Sequence, residues 1–155
     1  MAKYDLRKSP GPLIRRVHQI GASIFADEFK GKDLTPLQFS ILWILTSHSG
    51  IDQGRLAQYI ALDRTTCSNI VVRMEKNGYV RREVDANNKR AKLVYITESG
   101  RKLFAEAEGL MDKVSKGILQ PLASEERKVL LKLLQKLADS SNELSRAPMR
   151  YLPSK

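Results

Sequence analysis

The sequence predicts a mainly α-helical protein with one small β-hairpin. Apolar residues recur at helical spacing through most of the 155 residues. The period shifts to alternation only in the stretch from Tyr79 to Ile96. Aromatic residues make up 6% of a chain that is 42% hydrophobic, so Leu and Ile carry most of the apolar weight. This length suits one ordinary domain, or one domain with an extension.

Residues 1–10 are polar and basic and Pro10-Gly11-Pro12 is a breaker, so residues 1–11 read as a flexible arm. Pro12 suits a first helical position. From it, Leu13, Val17, Ile20 and Ile24 recur at helical spacing beside Ile14, Gly21 and Phe25. That arc is wider than one neighbour can cover. Thr35-Pro36-Leu37-Gln38 has the form of a capping box with proline at its first position. The helix it opens, through Leu45, is apolar nearly all round and is expected to be the most buried element.

Asp52 caps a short helix over Gln53–Ile60, and Ala61-Leu62 is a tight connection to a second cap at Asp63. The following helix ends at Gly78, a residue able to take the left-handed backbone that stops a helix. Its Cys67, Ile70, Val71 and Met74 form one apolar face. Thr65, Ser68, Asn69, Val72, Arg73 and Lys76 lie opposite. Short hydrogen-bonding side chains there suit a helix that approaches base edges closely, although an ordinary amphipathic helix has the same outline.

Tyr79–Val84 and Ala91–Ile96 then alternate as two strands around the polar, basic turn Asp85–Arg90. Two short helices followed by a basic hairpin make a winged helix-turn-helix. Thr97 caps a long helix that Pro121 ends, and Ser124-Glu125-Glu126 opens another that continues to Leu144. These two helices and the first carry more apolar stripe than the lobe can cover. A symmetric dimer or an intramolecular bundle would cover it. The expected organisation is an arm over 1–11, dimerisation helices over 12–32 and 98–146, a DNA-binding lobe over 34–97 and a tail over 147–155.

The net charge is +10, which argues for a polyanionic partner. Residues 64–102 hold ten Lys or Arg against four acids, so six of those ten charges fall in a quarter of the chain. Thr65, Thr66, Ser68 and Asn69 sit near the start of their helix, where base contacts are expected. Arg81 and Arg90, then Lys89, are the expected phosphate or minor-groove contacts, and the bland alternative is a solvated hairpin. Arg73 can brace the wing or bind a phosphate. Arg64, Lys76 and Asn88 complete the expected DNA-facing set.

Several stretches resemble the MarR family of bacterial winged-helix regulators: Leu34-Thr35-Pro36-Leu37-Gln38-Phe39, Leu56-Ala57 with Leu62-Asp63-Arg64-Thr65-Thr66, Glu75 through Arg82, Lys89-Arg90-Ala91-Lys92, and Ile96-Thr97-Glu98-Ser99-Gly100. The resemblance runs from about residue 13 to 144. In the family's wing an acid commonly precedes two basic residues. Here Asn88 holds that place, so the usual ion pair is missing, with Asp85 as the substitute. The resemblance implies an obligate homodimer that binds a pseudopalindromic operator in double-stranded DNA, usually as a repressor. It also implies release by a small molecule bound between the dimer helices and the lobe. Ile51-Asp52-Gln53 together with Leu62–Thr66 is similar to members that control aromatic-compound catabolism, which implies an aromatic acid or its thioester as effector. Arg16, His18, Phe25, Phe39, Trp43 and Met111 are the candidates for holding it. The competing readings are a half-buried, hydrogen-bonded His18, a solvent-facing Arg16, and Phe39 and Trp43 as plain core.

Two histidines and one cysteine are too few for a metal site, so no metal or cofactor is expected. There is no Gly-rich phosphate loop, no HExxH and no nucleophile–base pair within one motif, so the chain does not read as an enzyme. The first residues lack an apolar signal-peptide core and no run is long enough to span a membrane, so the expected compartment is the cytoplasm. Two further readings stay open: a non-specific architectural or RNA-binding winged-helix protein without effector, and a redox switch at Cys67.

Overall fold

A computed structural model describes residues 5–151. Among the described residues the chain forms six α-helices and three strands, and most of the helices start at an N-cap that the sequence marks. Helix α1 spans Pro10–Glu28, two residues earlier than expected, because Ser9 takes the extended N-cap conformation and Pro10 the first turn. Ahead of it the Ser9 hydroxyl donates to the Asp5 carbonyl at 2.7 Å, so the part of the expected arm from Asp5 onward is a turn leading into the helix. Residues 1–4 lie outside the described residues.

Helix α2 (Pro36–Ser47) starts with the expected capping box: Gln38 N–H donates to the Thr35 hydroxyl at 3.3 Å, and Thr35 N–H to Gln38 Oε1 at 2.8 Å. Ile41, Leu42, Ile44 and Leu45 are buried, each contributing roughly 2 kcal/mol by removal from water. The expectation of a helix buried all round fails at Trp43, which is 60% exposed. The following long helix α5 (Glu98–Leu119) and the lobe pack against α2, and Trp43 lies on the side left mostly open.

Strand β1 (Ile51–Asp52) leads directly into α3 (Gln53–Tyr59), whose first turn Asp52 caps by accepting from Arg55 N–H at 2.9 Å. The turn to α4 (Arg64–Lys76) places Ala61 at a φ of 51°, in the left-handed region. Asp63 caps α4, and Cys67, Val71 and Met74 are buried beneath it. Gly78, at a φ of 78°, ends it. Strands β2 (Val80–Val84) and β3 (Lys92–Ile96) form the hairpin, with Val80 opposite Ile96 and Val84 opposite Lys92. β1 adds a third antiparallel strand through Ile51–Val94 and Asp52–Leu93, giving the order β1-β3-β2.

Helix α5 (Glu98–Leu119) is capped by Thr97, whose hydroxyl accepts from Gly100 N–H at 3.1 Å and donates to the Gly78 carbonyl at 2.6 Å. It packs along α1, with Gly21 against Ile118 and Gly117 against Ile24. A small residue on each helix thus receives a large one from the other. Helix α6 (Ser124–Ser140) buries none of its residues in the protomer. Its Val129, Leu131, Leu133, Leu134 and Leu137 are exposed, as are Leu13, Ile14, Val17 and Ile20 of α1. The helix expected to reach Leu144 stops at Ser140, and a short 3-10 turn over Asn142–Leu144 reverses the chain.

Candidate nucleic-acid interface

Helix α4 turns its short polar side chains outward. Thr65, Asn69, Val72, Arg73 and Lys76 are exposed, while Thr66 and Ser68 are half-buried. Thr66 is engaged by the helix start: its N–H donates to Asp63 Oδ1 at 2.9 Å and its hydroxyl to Asp63 Oδ2 at 2.6 Å. These bonds hold the Asp63 carboxyl below its ordinary value, the hydroxyl bond most of all. Thr66 therefore secures the cap, and Thr65, Ser68 and Asn69 are the short side chains left on the outer face.

The start of α3, the first turns of α4 and the wing enclose a cleft of about 460 Å³ lined by Asp52, Gln53, Gly54, Arg64, Ser68, Asn88, Arg90, Ala91 and Lys92. It gathers four residues expected to face DNA: Arg64, Ser68, Asn88 and Arg90. Arg73 and Lys76 lie toward the far end of α4. Lys92 and the residues from the start of α3 were not among those expected to face DNA. Lys92 alternates outward on β3 and was legible as an exposed cation, whereas the α3 residues join the cleft only through tertiary packing.

The wing tip is ordered without an ion pair. Asp85 Oδ1 accepts from Asn87 N–H at 2.8 Å, Asn88 Oδ1 accepts from Arg90 N–H at 3.2 Å, and the Asn88 carbonyl accepts from Ala91 N–H at 2.8 Å. Asp85 does replace the missing acid as an organiser, but it acts through backbone N–H groups. The Lys89 and Arg90 side chains are exposed and make no ion pair among the described residues. Arg81 is different. It pairs with Glu83 and lies over the Tyr95 ring, 4.1 Å from its centroid. Both partners follow from the strand: Glu83 is two residues along the same face, and Tyr95 is its cross-strand neighbour. Half of Arg81 stays exposed, yet the sheet, not solvent, sets its position.

The candidates for an effector are dispersed. Phe25 is buried and stacks on Phe29 at 4.1 Å. Phe39 stacks on Phe104 at 5.3 Å, and both, like Met111, pack half-buried against the core. His18 is exposed, not half-buried as one reading expected, since α1 meets α5 along the side that carries Gly21 and Ile24. Arg16 lines a shallow cleft of about 240 Å³ with Gln19, Ile20 and Ser23. Cys67 is fully buried, and burial pushes its thiol up to about 11. A thiol so placed has almost no thiolate at neutral pH. Among the described residues there is no group of three or more His, Cys, Asp or Glu placed to hold a metal, and no helix long and apolar enough to cross a membrane.

A helix-turn-helix with a polar outer face, flanked by a basic wing, defines a winged-helix protein of the DNA-binding regulator class. Residues 34–92 match the model of the MarR family. The chain is 32% identical over 108 residues to the transcriptional regulator HosA of Escherichia coli, covering 70% of this chain and 80% of that one. It is 31% identical over 137 residues to the transcriptional repressor NicR of Pseudomonas putida, covering 88% and 87%. The crystal structure of the PcaV regulator of Streptomyces coelicolor in complex with its natural ligand matches with a TM-score of 0.83 and 27% identity, over 91% of this chain and 99% of that one. The chain belongs to the MarR family, a transcriptional regulator of the winged helix-turn-helix type.

Proposed function

We propose that the protein is a ligand-responsive repressor that binds a pseudopalindromic operator as a homodimer and is released by a small aromatic acid or thioester. The observation that carries the DNA contact is the cleft in which Arg64 and Ser68 of α4 face Asn88 and Arg90 of the wing. In this reading Thr65, Ser68 and Asn69 supply base contacts, and Arg64, Arg73, Lys76, Lys89 and Arg90 supply phosphate contacts. The apolar faces of α1 and α6 support pairing of two protomers, because so much exposed Leu, Ile and Val is rare on a monomer. Repression finds support in the similarity to NicR, and a small-molecule effector in the similarity to PcaV with its natural ligand. Of the effector candidates, Arg16 and His18 on α1 and Trp43 on α2 are the three whose side chains reach solvent, and we assign first contact with an effector to them.

Arg90→Ala tests the DNA contact. Measured by fluorescence anisotropy against the DNA upstream of its own gene, it should lose affinity and show a shallower salt dependence. Binding as tight as wild type would remove the wing from the interface. Equal affinity for that DNA and a scrambled duplex would instead favour a non-specific architectural protein.

A further inference from the structure

Beyond α6 the chain folds back on itself. The Asn142 side chain donates to the Met149 carbonyl at 3.0 Å and accepts from Met149 N–H at 2.8 Å, holding that residue as a neighbouring strand would. Glu143 pairs with Arg150 through both carboxylate oxygens, and the Tyr151 hydroxyl donates to Asp139 at 2.6 Å. The returning segment then meets the lobe. Arg150 N–H donates at 3.0 Å to the carbonyl of Gln58 in α3. Residues 147–151, expected as a tail, are thereby tied to the helix-turn-helix. Between segment and lobe lies a cleft of about 290 Å³, whose lining includes Gly54, Asp63, Arg64, Arg146 and Arg150.

Gly54 and Arg64 line this cleft and the wing cleft alike, so the two meet at the start of α4. The charges in the second cleft are unevenly satisfied. Arg150 is neutralised by Glu143, and Asp63 is bonded to Thr66. Arg146 and Arg64 make no ion pair among the described residues. Two unpaired guanidinium groups on one cleft, next to a helix that faces DNA, suit a phosphate diester, which arginine binds through two parallel N–H donors.

We propose that the C-terminal segment Asn142–Tyr151 belongs to the DNA interface, with Arg146 and Arg64 together taking a backbone phosphate in the second cleft. The proposal rests on the DNA-binding reading above. It gives the lobe a grip on the backbone at the start of α4 in addition to that of the wing, and it makes the end of α6 part of the same surface.

Phosphate contacts carry no sequence information, so the effect must be the same on any duplex. Arg146→Gln removes the charge and leaves the Asn142, Glu143 and Arg150 bonds intact, which thermal unfolding checks. Titrated across a salt series against the DNA upstream of its own gene and against an unrelated duplex, it should lose roughly 3- to 10-fold in affinity on both. Its plot of log affinity against log salt should be shallower by about one to two for a dimer. Arg146→Lys, which keeps the charge, should recover most of that slope. Wild-type affinity and slope in Arg146→Gln, beside a loss of both in Arg90→Ala, overturns the C-terminal site and leaves the DNA reading standing. A loss confined to the gene's own upstream DNA with an unchanged slope also overturns it. Failure of the wild-type protein to bind either duplex overturns the DNA reading, and this proposal with it.

Discussion

The carboxylate of Glu75, in the last turn of α4, accepts three hydrogen bonds from Arg82 of the wing: from its backbone N–H at 2.9 Å, from Nε at 2.9 Å and from Nη2 at 2.6 Å. This joins α4, the helix proposed to face DNA, to the strand that leads to the basic tip. The Arg82 guanidinium holds the Glu75 carboxyl below the ordinary glutamate value.

Removing an acid from a DNA-facing surface ordinarily strengthens DNA binding. For Glu75→Gln we expect weaker binding, because an untethered wing no longer presents Arg90 beside α4. The same variant should lose about 1 kcal/mol of stability at neutral pH, a modest sum because the pair is partly exposed. The sign in acid follows from the lowered value. The pair stabilises the protein above the ordinary glutamate pKa, and that contribution is lost as pH falls through the lowered one. The wild-type and Glu75→Gln melting temperatures should therefore converge on acidification. A gap that persists to about pH 2 would mean that the pair is not what stabilises the wing.

The same pair marks where sequence reading stops. Caps were legible because a cap and its target lie three residues apart, as Thr35–Gln38, Asp52–Arg55 and Asp63–Thr66 show. The basic run Arg81-Arg82 suggested a phosphate contact at Arg81 and no particular role for Arg82. Which arginine turns back toward α4 and which lies on Tyr95 depends on strand register and on how the sheet sits on the helix, and neither is a local property. Strand β1 was missed because two residues have no period to detect. Its pairing depends on Val94 and Leu93, more than forty residues later. The left-handed Ala61 was hidden because alanine gives no sign of positive φ. The clamp at Asn142 was hidden for a related reason: a polar residue past a helix end reads as solvent-facing until its partner seven residues on is known.

Gly100 sits where α5 meets the start of β2. A Cβ there would collide with the Tyr79 carbonyl oxygen and approach Ile96 to 3.0 Å. The carbonyl cannot swing aside, since it accepts from Thr97 N–H at 3.1 Å in the same cap that starts α5. Gly100→Ala should therefore destabilise by roughly 3 kcal/mol despite alanine's better helix propensity. Denaturant unfolding measures this, and a stabilised variant would show that the α5–β2 junction is looser than described.

Cys67 lies under α4 with its thiol directed at the Gln53 carbonyl at 4.0 Å. Burial raises the thiol to about 11, so it stays protonated through the physiological range and ionises only as pH rises through that value. Mild oxidant should leave DNA binding unchanged, and iodoacetamide should label the thiol only once the protein unfolds. Release of DNA by peroxide in the wild type but not in Cys67→Ser would establish a redox switch instead.

Leu137 on α6 is 59% exposed in the protomer, on a helix that buries none of its residues there. Leu137→Glu should accordingly leave the circular dichroism of the fold intact. If α1 and α6 form the proposed dimer, the buried carboxylate would have no partner at the interface, and association should fail. Light scattering should then report the protomer mass. Two lobes no longer joined cannot bind two half-sites as one ligand, so affinity for the operator should fall by about 100-fold or more. Gln135→Glu adds the same charge away from the Leu133–Leu137 stripe and should remain dimeric and bind normally. A Leu137→Glu protein that stays dimeric would move the interface off this face of α6 and leave its exposed leucines to another partner.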